Sequence, residues 1–233
     1  MTEIYLDTAN LNEIKEVLEW NIISGVTTNQ KIFLKEKGCN FEERSKAILD
    51  LVHPFPVSLE GPNDYDGIIK FAEETDSWKD DHDINYSNVV IKVPMLSNGS
   101  GLRVIKTLYD KHIRTNLTAC MTLNQVFLAS CTDATYVSLF YNRMKDWKGD
   151  NYAKQTVINS MNILRQSQGK TKLIIGSIRN VDDIQELLTL GPDIITIPYK
   201  ILTAMPFCIK TVETLEEFEN AWRDFNEKAN GNI

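Results

Sequence analysis

The sequence predicts a closed (β/α)8 barrel, on three observations. Short runs rich in β-branched residues alternate with helix-period segments along the whole chain, the pattern of parallel strands joined by crossover helices. Eight such strand candidates fit within 233 residues, close to the roughly 250 of a typical barrel of this kind. Each strand candidate also carries a polar residue near its C-terminal end or just beyond it, where barrels gather their chemistry. A doubly wound open sheet shares the alternation and is the architectural rival. No repeat, low-complexity run or linker divides the chain, so one domain over 1–233 is expected.

The elements follow in order. Strand 3–7 (EIYLD) leads to a helix at 11–20, where Leu11, Ile14, Val17 and Leu18 share one face. Asp7 ends that strand, and Asn10 is better placed than Asp7 to cap the helix. Strand 24–28 (SGVTT) ends in Thr27, Thr28 and Asn29, and the next helix is expected at 41–52. Strand 55–60 (FPVSLE) closes on Glu60 before a helix at 64–74, and the polar stretch 73–87 reads as a solvated loop or a helix extension. Strand 88–94 (NVVIKVP) precedes helix 101–111, and strand 113–118 (IRTNLT) precedes helix 123–131. Strand 135–140 (TYVSLF) precedes helix 152–166, strand 171–177 (TKLIIGS) helix 181–190, and strand 193–198 (DIITIP) helix 200–205. A last helix at 215–229 follows Thr214, where TLEE has the form of a capping box. Its Leu215, Phe218, Ala221, Trp222 and Phe225 form an apolar stripe that needs a partner surface, on its own barrel or on a neighbour.

Composition narrows the function classes. With 42% hydrophobic and 24% charged residues the chain can bury a core without disulfide staples. A net charge of −7 gives no broad basic surface for nucleic acid, although a local basic pocket for a small anion stays open. Cys39, Cys120, Cys131 and Cys208 lack metal-ligand spacing, and His53, His82 and His112 stand apart, so no metal site is expected. Cys120 and Cys131 lie in apolar surroundings and read as small core residues. The start, MTEIYLDTAN, has neither a basic segment nor a long apolar one, and no run is long enough to span a bilayer. A cytoplasmic protein with reduced thiols and no membrane partner is expected.

The residue that demands an explanation is Lys92, in the middle of the apolar run NVVIKVPM. An ammonium is seldom buried without a partner. The polar residues at the other strand ends have plain readings one at a time. Asn29 suits a turn, Thr118 a strand, Arg143 and Arg179 surface ion pairs, and Glu60 before Gly61 and Pro62 an exposed loop. Together they have a chemical logic. Burial disfavours an ammonium relative to the free amine. The free amine can attack a ketone to form an imine, whose protonated form is an electron sink for carbon–carbon cleavage. Asp7 and Glu60 then serve as proton carriers. Arg143 and Arg179, with Ser177, suit a phosphate tail, which guanidinium groups match with two hydrogen bonds.

At these residues the chain resembles the transaldolase family, particularly its small-subunit branch with the fructose-6-phosphate-aldolase-like proteins. The likeness runs in order through IYLDTANLNEIKEVLEWNIISGVTTN, VVIKVPM, GLRVIKTL, TNLT, TYVSLFYNR, GSIRN and DIITIP. It implies a barrel enzyme without metal or cofactor that moves a dihydroxyacetone unit from a ketose phosphate to an aldose phosphate. Lys92 corresponds to the Schiff-base lysine, and Asp7 to the acid/base on the donor's C4 hydroxyl. Glu60 and Thr118 correspond to the pair that holds a proton-shuttling water. Thr27, Asn29, Asn116, Ser138 and Phe140 fall at the substrate-binding positions, and Arg143, Ser177 and Arg179 at the phosphate. Glu60 and Phe140 are the transaldolase choices, where the fructose-6-phosphate aldolases carry Gln and Tyr. A Phe has no phenolic proton to give a carbanion intermediate, which favours transfer to an acceptor over release of dihydroxyacetone.

The chain departs from the family pattern at Gln30, where Pro is usual, and at Asn142, where Gly is usual beside the phosphate arginine. If that Gly held a left-handed conformation, Asn is the next-best residue for it. Gly176 replaces a usual Ala, and Lys200 stands where Asn is common, either as extra charge for an acceptor phosphate or as a competing amine. Stretches 95–101 and 76–88 are longer than usual. The expected activity is therefore transaldolase, with fructose 6-phosphate or sedoheptulose 7-phosphate as donor in pentose-phosphate metabolism. An aldolase or a specialised transferase on another sugar phosphate, and a non-catalytic sugar-phosphate-binding barrel, are the other readings. The resemblance also implies a homo-oligomer, pentameric or decameric, with the C-terminal helix reaching a neighbour.

Overall fold

A computed structural model describes residues 1–167 and 170–229. The β-branched runs become eight strands: β1 (Glu3–Asp7), β2 (Ile23–Thr27), β3 (Val57–Glu60), β4 (Val89–Pro94), β5 (Thr115–Cys120), β6 (Tyr136–Phe140), β7 (Lys172–Gly176) and β8 (Ile194–Ile197). Each pairs in parallel with the next in the chain, and β8 returns to β1. That last ladder closes the sheet and decides between the two architectures: the fold is a (β/α)8 barrel with an added C-terminal helix.

Helices α1 (Leu11–Glu19), α2 (Gln30–Phe33), α3 (Phe41–Val52), α4 (Tyr65–Asp76), α5 (Ser100–Asp110) and α6 (Leu123–Ser130) cover the outside of the first five strands. They are followed by α7 (Tyr141–Lys148), α8 (Asp150–Gln166), α9 (Val181–Leu190), α10 (Tyr199–Leu202) and α11 (Ile209–Ala229). Asn10 caps α1 by accepting from the backbone N–H groups of Asn12 and Glu13. Outward strand residues such as Leu59, Ile91, Leu117, Leu139 and Ile195 are fully buried against inward helix residues such as Ile14, Ile48, Val104 and Leu187.

The barrel interior is layered with the strand period of two. Tyr5, Val90, Tyr136, Ile174 and Ile194 fill its lower part as an apolar cluster. Gly25 makes room there: a Cβ at this position would sit 2.7 Å from the Tyr5 ring. Two residues further along those strands, the inward positions are Asp7, Thr27, Lys92, Ser138, Gly176 and Thr196. The interior therefore changes from oily to polar in one step, toward the C-terminal ends of the strands.

Three expectations need correction, while the reading of 73–87 as a solvated loop or a helix extension holds. Helices α2 and α7 were not expected. The first is a single turn capped by the Asn29 side chain, and the second, YNRMKDWK, is too polar to show a clear apolar period. Helix α11 begins at Ile209, so Thr214 lies inside it and donates its hydroxyl hydrogen to Lys210 O instead of capping. Cys131 is exposed at the end of α6, whereas Cys120 is buried. In the stretch 73–87, α4 runs on to Asp76 and a Lys79–Asn85 bridge closes a small hairpin.

The α11 stripe of Leu215, Phe218, Ala221, Trp222 and Phe225 is exposed along its length, and does not fold back on the barrel. Among the described residues, no helix is long and apolar enough to cross a membrane.

Candidate active site

A polar cavity of about 120 Å3 opens where the interior changes character, at the C-terminal ends of the strands. Ten of the twelve candidate residues line it together: Asp7, Thr27, Asn29, Lys92, Asn116, Thr118, Ser138, Phe140, Arg143 and Ser177. Glu60 lies behind the lining but touches Lys92. Arg179 lies outside it.

Lys92 is 6% exposed, and its partners are short-range. Its Nζ donates to Glu60 Oε2 at 2.7 Å and to the Thr28 carbonyl oxygen at 2.9 Å. The sheet register brings this about, because Glu60, Lys92 and Asn116 are Cα partners on β3, β4 and β5. In a parallel sheet such partners project on the same side. A buried ammonium thus has a carboxylate and a carbonyl to satisfy it, as burial requires.

Asp7 faces the cavity from β1 and accepts a hydrogen bond from Thr27 Oγ1 at 2.8 Å. Thr27 in turn is hydrogen-bonded to Thr196 on β8, the strand on the other side of β1. Burial pushes the Asp7 carboxyl above its ordinary range; the Lys92 charge and the Thr27 hydrogen bond pull it back only in part. Two carboxylates therefore flank one lysine in different surroundings. One is bonded directly to the ammonium, while the other is held by a hydroxyl and desolvated.

The remaining wall is hydroxyl and amide. Ser138 Oγ donates to Asn116 Oδ1 at 2.7 Å, and the Asn116 amide reaches Ser58 Oγ at 3.4 Å. Asn29 Oδ1 is taken up by Ile32 N at the start of α2, so the donor amide is the polar group it has left to offer. Among the described residues, the buried Thr118 Oγ1 has no hydrogen-bond partner. A buried hydroxyl without a partner is costly, and this one lies on the cavity wall, where a ligand hydroxyl or a water can supply the bond.

At the mouth, the Arg143 guanidinium stands over the Phe140 ring at 5.2 Å from its centre. Ser177 adopts a left-handed backbone, φ +63°, beside it. Arg179 is instead held by Asp146 through two hydrogen bonds, of 2.9 and 2.5 Å. Lys200 is exposed on α10 and does not line the cavity, which leaves Lys92 as the amine in it. Asn142 is helical and not left-handed; its amide bonds Ser177 O and Asp183. Gln30 opens α2 and donates to Gly61 O, tying that turn to the loop after β3.

Three residues of the site escaped the sequence reading: Thr196, which lines the cavity, and the buried Ser58 and Asp183 behind it. Thr196 was legible in principle, because it stands two residues beyond Ile194 and so faces inward. Ser58 had no such mark. Asp183 sits in an ordinary acidic first helical turn.

Comparison with known proteins gives the same direction as the geometry. A family model described as Transaldolase/Fructose-6-phosphate aldolase matches residues 4–231. A "Probable transaldolase" of Petrotoga mobilis is 36% identical over 228 residues, covering 97% of this chain and 96% of the relative. Proteins of the same name from Kosmotoga olearia and Carboxydothermus hydrogenoformans are also 36% identical, each covering 95% of this chain, and 96% and 98% of their own lengths. The family match takes in every residue of the cavity, and the relatives cover nearly the whole chain: the chain belongs to the transaldolase/fructose-6-phosphate aldolase family and is a transaldolase-type enzyme.

Proposed function

We propose that the protein is a transaldolase that carries a dihydroxyacetone unit as a Schiff base on Lys92. The observation that carries this reading is the buried Lys92 ammonium on the cavity wall, 2.7 Å from Glu60 and with Asp7 in the same cavity. Glu60 takes a proton from Lys92, and the free amine adds to the donor's C2 ketone. Loss of water, its oxygen protonated through Glu60 and a water held by Thr118, leaves the iminium. Asp7 accepts the C4 hydroxyl proton, the C3–C4 bond breaks, and its electron pair moves into the iminium to give an enamine. The aldose phosphate leaves. The enamine carbon then attacks the aldehyde of an acceptor, Asp7 returns its proton to the new hydroxyl, and water hydrolyses the imine. No cofactor is needed, because the iminium itself accepts the electrons.

Asn29, Asn116, Ser138 and Thr27 suit the hydroxyls of the dihydroxyacetone unit. Arg143, Ser177 and, if released by Asp146, Arg179 suit the phosphate. Fructose 6-phosphate and sedoheptulose 7-phosphate are the proposed donors, in pentose-phosphate interconversion in the cytoplasm. Phe140 supports transfer over cleavage, since no phenol stands there to protonate the enamine. A second reading, a transferase or aldolase for another sugar phosphate, draws on the Asp146 grip on Arg179, which narrows the phosphate group to Arg143 and Ser177. The exposed stripe of α11 supports assembly into a homo-oligomer, pentameric or decameric.

The test is borohydride trapping with fructose 6-phosphate, followed by peptide mass mapping. A dihydroxyacetone-derived adduct on Lys92 is expected. An adduct on Lys200, or none with any ketose phosphate, overturns the proposal.

A further inference from the structure

We propose that Asp183, acting through Asn142, is a positioning residue that sets how tightly the cavity mouth holds the phosphate of its substrate. This deepens the function proposed above and rests on it for the phosphate being part of the substrate.

Asp183 lies in the first turn of α9, is 1% exposed and does not line the cavity. A carboxylate so buried persists only where donors converge on it. Three do: the Asn142 side-chain amide at 2.5 Å, the Arg179 backbone N–H at 3.1 Å and Lys145 Nζ at 3.2 Å. Burial pushes its carboxyl up, but these donors outweigh that and hold it below its ordinary range. The donors come from two separate pieces of chain, α7 and the loop between β7 and α9. The same Asn142 amide also donates to Ser177 O at 2.9 Å.

These bonds meet beside the two groups that the cavity offers an anion. Arg143 follows Asn142 in the chain, and Ser177 carries the carbonyl that Asn142 holds. Ser177 also sits in a left-handed conformation that is strained for a non-glycine residue. Conformations of this kind persist when the surroundings over-determine them. Asp183 and Asn142 supply that constraint: they clamp the helix that bears Arg143 to the loop that bears Ser177.

The opposite expectation is equally definite. If Asp183 mattered only as a negative charge near the mouth, its removal would strengthen anion binding. The sign of the effect therefore separates a clamp from a bystander.

The experiment measures inorganic phosphate binding to the full chain by calorimetry, in the parent, Asp183→Asn, Asn142→Ala and the double variant. Borohydride trapping of dihydroxyacetone, which carries no phosphate, is followed in parallel. Each single variant should weaken phosphate binding about tenfold, the scale of a lost hydrogen bond to a charged group. The double variant should be no weaker than either single one, because both break the same clamp. Trapping of dihydroxyacetone should keep its parental rate. Asn142→Ala keeps a good helix former in α7 and gives the answer should Asp183→Asn fail to fold. Unchanged or tighter phosphate binding in the variants, or parallel loss of dihydroxyacetone trapping, overturns the clamp. A parent that traps no ketone but shows the phosphate shifts would refute the Lys92 chemistry and uphold the clamp.

Discussion

The pair at the cavity wall can be taken apart one partner at a time. Lys92→Met removes the ammonium, keeps most of the side-chain volume and leaves Glu60 without its partner at 2.7 Å. The two side chains are 7% and 15% exposed, so the stranded carboxylate is largely cut off from water. Removing one member of a buried pair costs about 3–5 kcal/mol. Glu60 also borders an apolar groove formed with Gln30, Phe33 and Phe71, which gives it some solvent access and points to the lower end, about 3 kcal/mol. The Thr28 carbonyl loses its donor as well, for about 1 kcal/mol more. Lys92→Met combined with Glu60→Gln removes the stranded charge, and should recover about 2–3 kcal/mol of that loss. Urea unfolding followed by circular dichroism, at one protein concentration for all three proteins, reads these differences from the midpoints at equal slope. Both lysine-free variants lack the proposed activity, so stability is what distinguishes them. Should Lys92→Met prove as stable as the double variant, Glu60 does not depend on Lys92 and the account of the pair is wrong.

Asp7→Asn should reduce transfer by about a hundredfold to ten-thousandfold, the usual worth of a positioned acid/base. Its stability effect has the opposite sign. Because burial raises the folded-state value of Asp7 above the ordinary 3.8, folding disfavours the charged form. That cost is absent below 3.8, grows as the pH rises through the folded-state value and is complete above it. The Asn variant should thus be the more stable protein at pH 7 and lose its advantage on acidification; thermal melts across the pH range that show no such convergence would refute this. For α11, sedimentation should show the parent as an oligomer and Trp222→Glu with Phe218→Glu as a smaller species, since both rings are at least 60% exposed on the single chain. A monomeric parent removes the basis for that assembly.

Much of the fold was legible because strands and helices alternate with different periods, and the barrel followed from counting strands. Closure itself was not, since an open sheet has the same local pattern; the β1–β8 ladder decides it. Lys92 could be singled out because a polar side chain in a buried strand breaks an apolar run, and Asp7 and Asn116 because they stand at the C-terminal ends of their strands. Thr196 breaks such a run too, but weakly, as threonine is also a good strand former. Helix α7 was hidden because its inward residues include Asn142, whose burial is justified by bonds to Ser177 O and Asp183 that lie 35 and 41 positions away. Arg179 shows the reverse limit. Its sequence context suits a phosphate, yet Asp146, 33 positions earlier, holds its guanidinium.

The proposed mechanism asks one barrel for two unlike bases made from similar carboxylates. Glu60 and Asp7 both approach Lys92, and if their surroundings matched they would compete for one proton. The register prevents this. Glu60 is the Cα partner of Lys92 on the adjacent strand, so it meets the ammonium head-on, where the proposed mechanism has it exchange protons with the amine and its imine. Asp7 comes from β1, is bonded to Thr27 and not to Lys92, and is pushed up by burial. A base whose proton affinity lies above that of an ordinary carboxylate suits an alkoxide-forming step, where the same proton must be taken and later returned. Thr27, fixed in turn by Thr196, holds Asp7 turned to the cavity, as the proposed taking and returning of a proton requires. On this reading the hydroxyl pair is as necessary to the chemistry as the carboxylate it holds, because it keeps apart two bases that would otherwise serve the same proton.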